Sequence, residues 1–383
     1  MTLHGKVHFS RYILLPKTPA DRAALLAENK RMVVPLDEAL GISGLPFKMT
    51  VNLMLEIAYW AQSQCSYESA EQAIYRALGL RVNDDTVRKV CNTIGKLVYD
   101  MDCAQAQQAA VLLETGKLQF PLRKKRGVLY IQADGAALNT RQKDAQGSTW
   151  RESKLGVVFS SDDLYRWIDN RGQPRHKINA REYVGYIGSV QEFQKHLFAA
   201  ALRHGYGIYE KTVVIGDGAA WIRNMTEQLF PDAQQILDYY HLCENVNNCA
   251  KLHFNNDEQA FRPWAEQMCK LLKEGHWRQV LAALEGMNSP HADRLHGYIS
   301  NNKKHIDYPK YLQESGFIGS GAIESGNKIV LQKRLKQAGM RWNPVCAQYL
   351  LSLRAKHESN LWNSTVVLPA LRHFQLPLLT CDF

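Results

Sequence analysis

Apolar and polar residues change their period twice along this chain, dividing it into a helical part, a sheet-forming part and a second helical part. Between residues 46 and 115 the apolar positions recur at helical spacing, first over residues 51–62. In SYESAEQAIYRALGLRVNDDTVRKV, Ala70, Ile74, Ala77 and Leu78 make one apolar face. Ser66 is placed to cap that helix, Glu68 and Glu71 suit its positive end, and Gly79 ends it. Asp84 or Asp85 then opens a second helix, with Val87, Val90 and Ile94 inward and Thr86, Arg88 and Lys89 outward. Two short helices joined by a tight turn, with hydroxyl and basic residues early in the second, fit a helix-turn-helix DNA reader. An ordinary helical hairpin fits the same pattern.

From residue 127 the period shifts to that of strands. GVLYIQADGAAL, residues 150–167 and residues 176–189 predict three strands. Residues 191–207 predict a helix with Phe193, Leu197, Ala201 and Leu202 on one side. KTVVIGDGA reads as a buried strand, AAWIRNMTEQLF as a helix and AQQILDYYHL as a last strand. This order predicts an antiparallel meander continued by parallel strands on crossover helices. Residues 243–313 are helical in pattern; FIGSGAIESGNK then opens on a Gly-Ser turn and becomes a basic helix, and a last helix covers residues 345–358. Pro16, Pro19 and Pro35 break the first 45 residues into a short strand or two and a helix over 20–28. The fold class is therefore α/β: a short segment 1–45, a helical domain 46–118, a sheet domain formed by 127–242 and 315–362, a helical insertion 243–314 and a tail 363–383. QFPLRKKR at 119–126 is a basic linker. There is no internal repeat or low-complexity tract.

Composition narrows the function classes. The chain of 383 residues is 45% hydrophobic and 22% charged, which suits two or three globular domains. None of the eight cysteines forms a Cys-x-x-Cys pair, so they read as reduced thiols of a cytoplasmic protein. No apolar run reaches the roughly 18 residues that span a bilayer, and the N-terminus lacks an apolar signal core. No membrane partner is expected. The net charge of +10 favours phosphate-rich partners without choosing among them.

The acids supply the choice. Asp134 in YIQADGA and Asp217 in VVIGDGA each close a buried β-run, and each is followed by a glycine with room for an ion or a backbone phosphate. If their strands are parallel neighbours, both emerge at one edge, where active sites of such sheets form. Paired carboxylates repel unless a cation neutralises them, and hard divalent cations such as Mg²⁺ prefer oxygen ligands. Two such ions ~3.5–4 Å apart suit phosphoryl transfer. Glu324 in GSGAIESGNK is the candidate third acid. Asp238 and His241 in DYYHLCENV should lie nearby; either Asp238 orients His241 toward a metal or phosphate, or His241 is a satisfied buried histidine. Lys328, Lys333, Arg334 and Lys336, with Lys124, Lys125 and Arg126 of the linker and Thr86, Arg88 and Lys89, are the candidate DNA contacts. Trp342 suits either a stack on an unpaired base or the core.

The set ADGA, IGDGAAWI, LDYYHL and GSGAIESGNK, in this order, resembles bacterial insertion-sequence transposases of the DDE class, and among them the ISKra type, akin to the Mutator-like superfamily. The likeness runs from about residue 35 to 362. It implies a ribonuclease-H-like fold with a helical insertion, the triad Asp134, Asp217 and Glu324, and the Asp-x-x-His signature on Asp238 and His241. It also implies two Mg²⁺ or Mn²⁺ ions, binding to terminal inverted repeats and target DNA, a homodimer or larger assembly, and a place at the bacterial nucleoid. Relatives often carry a cysteine-rich segment near the N-terminus, whereas residues 1–45 here contain no cysteine. The other expectations are a metal-dependent nuclease without strand transfer, and a domesticated DNA-binding protein that no longer transposes.

Overall fold

A computed structural model describes residues 12–27, 32–39 and 45–374. The chain divides into two compact units. One comprises Met1–Met101, Lys333–Ala338 and Val345–Phe383, as far as these are described; the other is Asp102–Gln332 with Gly339–Pro344.

The first unit is helical. After α1 (Pro19–Ala27) and α2 (Pro35–Ala39), an apolar stripe builds α3 (Val51–Ser63), with Leu53, Met54, Ile57 and Ala58 fully buried. Among the described residues of 1–45 the expected strands appear as one isolated antiparallel bridge, Leu14↔Val33; Glu28, the expected end of α1, lies outside the described residues. Ser66 caps α4 (Tyr67–Leu78) by accepting from Ser69 N at 2.9 Å, and Gly79 ends it at φ 66°. The next cap falls on Asn83, not on Asp84 or Asp85. Its side chain accepts from Thr86 N at 2.9 Å, while Asp84 N is held by the Glu71 carboxylate. The helix it opens, α5 (Asp84–Glu114), has 31 residues, so the pair is not two short helices. No proline interrupts it, and apolar positions keep recurring through Val98. The boundary between the units falls within α5.

The second unit is built on a five-stranded mixed sheet of order β5-β2-β1-β6-β7. β1 (Lys125–Asn139) pairs antiparallel with β2 (Trp150–Ser160), which pairs antiparallel with β5 (Glu182–Ile187). β6 (Tyr209–Gly216) runs parallel to β1, and β7 (Gln234–Leu237) parallel to β6. The expected meander and parallel extension are both present. The crossover helices α6 (Val190–Arg203) and α7 (Ala220–Leu229) bury Phe193, Leu197, Phe198, Ile222 and Met225 against Leu129, Ile131, Val158 and Val214. Each such large side chain contributes about 1.5–3 kcal/mol relative to exposure.

Three predicted strands are shorter than expected; of residues 176–189, only 182–187 form a strand of this sheet, and 176–178 pair elsewhere. Residues 150–167 are not one strand, because a capping box turns the chain at Ser160: its backbone N–H and hydroxyl both donate to Asp163, at 2.8 and 2.7 Å. Residues beyond it form a separate hairpin of β3 (Leu164–Ile168) and β4 (Pro174–Ile178). Likewise AQQILDYYHL is strand only to Leu237, because Asp238 caps α8 (Tyr239–His253).

The insertion is helical throughout: α8, α9 (Glu258–Lys273), α10 (Trp277–Glu285), α11 (Pro290–Asn302) and α12 (Tyr308–Glu314), with one short 3₁₀ turn. α13 (Gly321–Gly326) follows and passes into a π-helical turn, Asn327–Gln332. Trp342 belongs to the core; it is buried and bridges Thr140.

α14 (Lys333–Leu335), most of α15 (Pro344–Glu358) and α16 (Leu368–His373) return to the first unit, where the sequence placed residues up to 362 with the sheet. A side chain at Gly95 would press to 2.8 Å on the Tyr349 backbone, so glycine there lets α5 and α15 meet. Arg334 is buried to 1% exposure, donates Nε to the Ala61 carbonyl at 3.1 Å and stands 4.6 Å above the Tyr67 ring. It therefore packs this unit together and is not a DNA contact. No described helix is long and apolar enough to cross a membrane.

Candidate active site

Strand register brings the two Asp-Gly motifs level. The last paired residues of β1 and β6 are Gln132 and Ile215, and Asp134 and Asp217 each stand two positions further. The strands are about 4.8 Å apart, so the acids are neighbours at the carboxyl edge. β1 does not end there: it continues to Asn139 against β2, with Asp134 opposite Leu155. Gly216 pairs with Leu237, so Asp238 follows at the end of the third parallel strand. The glycine after Asp217 serves the backbone. Gly218 has φ +83°, and a side chain there would meet Leu237 at 2.7 Å.

Gln132, buried in the otherwise apolar run, draws the third acid to this edge. Its amide accepts from Ile323 N at 3.0 Å and donates to the Gly319 carbonyl at 3.4 Å. These bonds fix the start of α13 against β1, and α13 carries Glu324 in its first turn. Three residues on, Asn327 donates its amide to Asp134 Oδ2, while Gly135 N donates to Asp134 Oδ1 at 2.7 Å. Gln132 and Asn327 are not among the residues that the sequence pattern singles out. A lone amide in a β-run that must find partners when buried, and an amide one turn after Glu324, are the signals that mark them.

Electrostatics bind the group together. Burial is the main cause holding the Asp134 carboxyl above its ordinary value; the charges of Asp217 and Glu324 push the same way, against the Gly135 N–H and His241. Asp134 thus feels both other acids and the histidine. Asp217 accepts from Ala219 N at 2.9 Å, and its carbonyl accepts from Tyr298 of α11.

Asp238 plays a different part from the one expected. It is buried, and Oδ1 accepts from Tyr240 N at 2.6 Å and His241 N at 3.2 Å. Oδ2 accepts from Ser320 N at 2.9 Å and from the Ser320 hydroxyl. It therefore holds the backbone of His241 rather than orienting the ring, and ties α8 to the turn that leads to Glu324. His241 is not a buried histidine: its ring is partly exposed, with Nδ1 3.8 Å from Glu244. It lines a cleft of about 510 Å³ together with Asp217, Asn245, Asn248, Arg294 and Tyr298.

One family profile matches residues 1–364. The chain belongs to the uncharacterised protein family UPF0236. No curated protein matches it. The UPF0236 match takes in every residue of the site just described, from Gln132 to Asn327.

In this UPF0236 chain the donor set suits a hard divalent cation: three carboxylates, with repulsion at Asp134 that a dication relieves. Among the described residues no group of three or more His, Cys, Asp or Glu stands close enough to hold an ion. Of the predicted DNA contacts, Lys328 is exposed one turn from Glu324. Lys124, Lys125 and Arg126 are exposed but lie at the far end of β1, about 30 Å from Asp134 by strand rise. Lys125 is paired with Asp162. Lys333 and Lys336 are exposed in the other unit, as is Lys89, while Arg88 is half-buried; Asp85, beside Thr86, engages both Arg88 and Lys89.

Proposed function

We propose that this chain is a DNA transposase of the DDE class, of ISKra type, which binds the ends of its insertion sequence and cuts and joins phosphodiester bonds at Asp134, Asp217 and Glu324. The observation that carries the reading is the convergence of these acids. Register sets Asp134 level with Asp217, and Asp134 feels both Asp217 and Glu324. Two further facts support it. The family is associated with transposase-like proteins, and three antiparallel strands followed by two parallel ones on crossover helices suit a ribonuclease-H-like sheet.

Asp134, Asp217 and Glu324 would hold Mg²⁺ or Mn²⁺, which when bound activates the attacking oxygen and stabilises the leaving one. The chain's own residues set the geometry. Asn327 and Gly135 fix the Asp134 carboxylate, Gln132 fixes α13, and Tyr298 and Gly218 fix the backbone at Asp217. Water attacks the phosphorus at the element end and the P–O3′ bond breaks, leaving a 5′-phosphate and a free 3′-hydroxyl; that hydroxyl loses its proton, attacks a phosphorus of the target strand and displaces the target's own 3′-oxygen, which takes up a proton. His241 and Arg294, in the cleft beside Asp217, are placed to meet the phosphates.

The test is divalent-metal-dependent nicking of labelled duplex carrying the element's own ends. Asp134→Asn, Asp217→Asn and Glu324→Gln are each expected to bind DNA and to lose cleavage by roughly 10³-fold or more. Joining of pre-cut ends to target DNA then separates a transposase from a plain nuclease. Wild type that binds and never cuts, or variants that cut as well as wild type, sink the reading and leave a DNA-binding protein in its place.

A further inference from the structure

The β3–β4 hairpin stands apart from the five-stranded sheet and contributes nothing to the acid site. Its register gives it two faces. Leu164, Arg166 and Ile168 fall on one, with His176 and Ile178 opposite, and this face lies on its own unit: the His176 ring meets the Phe317 ring edge-on at 4.7 Å. Tyr165 and Trp167 fall on the other, each directly across from a cation, Tyr165↔Lys177 and Trp167↔Arg175. Their rings stack with centroids 5.7 Å apart and planes at 27°, and they stay 59% and 40% exposed. Residues 164–178 carry Arg166, Arg171, Arg175 and Lys177 against one acid, Asp169. Asp169 is spent on the turn: it accepts from Arg171 N, Gln173 N and Arg175 Nε.

Ile168 on the first face is exposed as well, so what sets the second face apart is its stacked rings with a cation across the strand from each. Two exposed stacked rings with cations across the strand match a nucleic-acid strand in both shape and charge. Rings take unpaired bases, and the cations take the phosphates between them. A duplex keeps its base faces covered by its own stack, so the rings favour a single strand. A cavity of about 500 Å³ beside Trp167 and Arg175 shares His176, Gly316 and Phe317 with a second of about 290 Å³ that reaches Tyr240 and Gly321, at the starts of α8 and α13. From the level of Asp134, opposite Leu155, the chain runs nine residues to the start of the hairpin at Leu164, turning at Ser160.

We propose that the β3–β4 hairpin is a stacking platform for single-stranded nucleic acid, taking bases on Tyr165 and Trp167 and phosphates on Lys177 and Arg175. The choice of nucleic acid rests on the proposed function.

The test uses the full chain with a fluorescein-labelled 20-nucleotide oligo-dT, read by anisotropy in EDTA so that binding is separate from chemistry. Tyr165→Ala and Trp167→Ala should each weaken binding about tenfold or more, and Trp167→Phe much less. Lys177→Ala should reduce the salt slope of log affinity by about 0.7. Thermal melts show that the variants fold. Unchanged affinity within twofold in both alanine variants overturns the proposal. So does an equal loss for duplex of the same length, or a changed oligomeric state with strand binding intact. Nicking assays on the same proteins separate the two ideas. If only the acid variants lose activity and the hairpin variants bind normally, the platform fails and the transposase reading stands. If nothing cuts but the alanine variants lose the strand, the platform stands and the transposase reading fails.

Discussion

Asp134 and Asp238 lie at the same edge of one sheet, past the paired ends of strands separated only by β6, yet their surroundings are opposite. Asp238 accepts four hydrogen bonds from three residues, two on each oxygen, and no further partner is needed. Asp134 is met by one backbone N–H and one amide while Asp217 and Glu324 both press its charge. A carboxylate saturated with donors has its ionisation compensated by the fold and serves structure. One left short of donors among other acids is costly to ionise and gains most from a cation. The edge is thus divided: the β7–α8 junction builds the frame, and the β1–β6 edge keeps charge that the fold does not compensate.

The sharpest way to break this contrast is to remove each acid in turn. Asp134→Asn is expected to abolish metal-dependent nicking with DNA binding retained, as above. Asp238→Ala should act on stability instead. It removes a helix cap, worth about 0.5–2 kcal/mol, and strands the buried Ser320 donors, worth about 1–3 kcal/mol, for a combined loss on the order of 2–4 kcal/mol. Urea unfolding measures it. Asp238→Asn, which still accepts through one oxygen, should lose roughly half as much. If Asp238→Ala unfolds at the wild-type urea concentration, Asp238 is not a clamp and the contrast with Asp134 disappears.

Much of this arrangement was legible in the sequence because it depends on local pattern. Two apolar β-runs closing on Asp-Gly, with helical segments between them, imply parallel strands and adjacent acids, and the sheet has that order. Glu324 stood out because it follows a Gly-Ser turn at the start of a helix, and α13 does begin there. Other features depend on contacts distant in sequence. Nothing local distinguishes Arg334 from Lys333 or Lys336; only the packing of α14 beneath Ala61 and Tyr67 buries it. The roles of Gln132 and Asn327 arise from bonds spanning 191 and 193 residues. The hairpin was hidden because residues 150–167 alternate well enough to pass for one strand, and the break at Ser160 comes from a side-chain box that competes with the ladder.

A smaller effect tests the charge on Asp134 directly. Its carboxyl titrates above the ordinary 3.8, so the folded state favours the protonated form. Well below 3.8 the carboxyl is protonated folded or unfolded, and Asp134→Asn should change the melting temperature little. As pH rises past the folded value, wild type must ionise a group the fold disfavours, while the neutral amide does not. Without metal the Asn variant should therefore melt higher than wild type at pH 7, by a few degrees, with the gain fading as pH falls toward 4. Mn²⁺ should reverse the order, because an ion bound only by the folded carboxylates raises the wild-type melting point and leaves the variant's nearly unchanged. If the metal-free Asn variant melts lower than wild type at pH 7, Asp134 is compensated by its neighbours as Asp238 is, and the edge holds no charge in reserve.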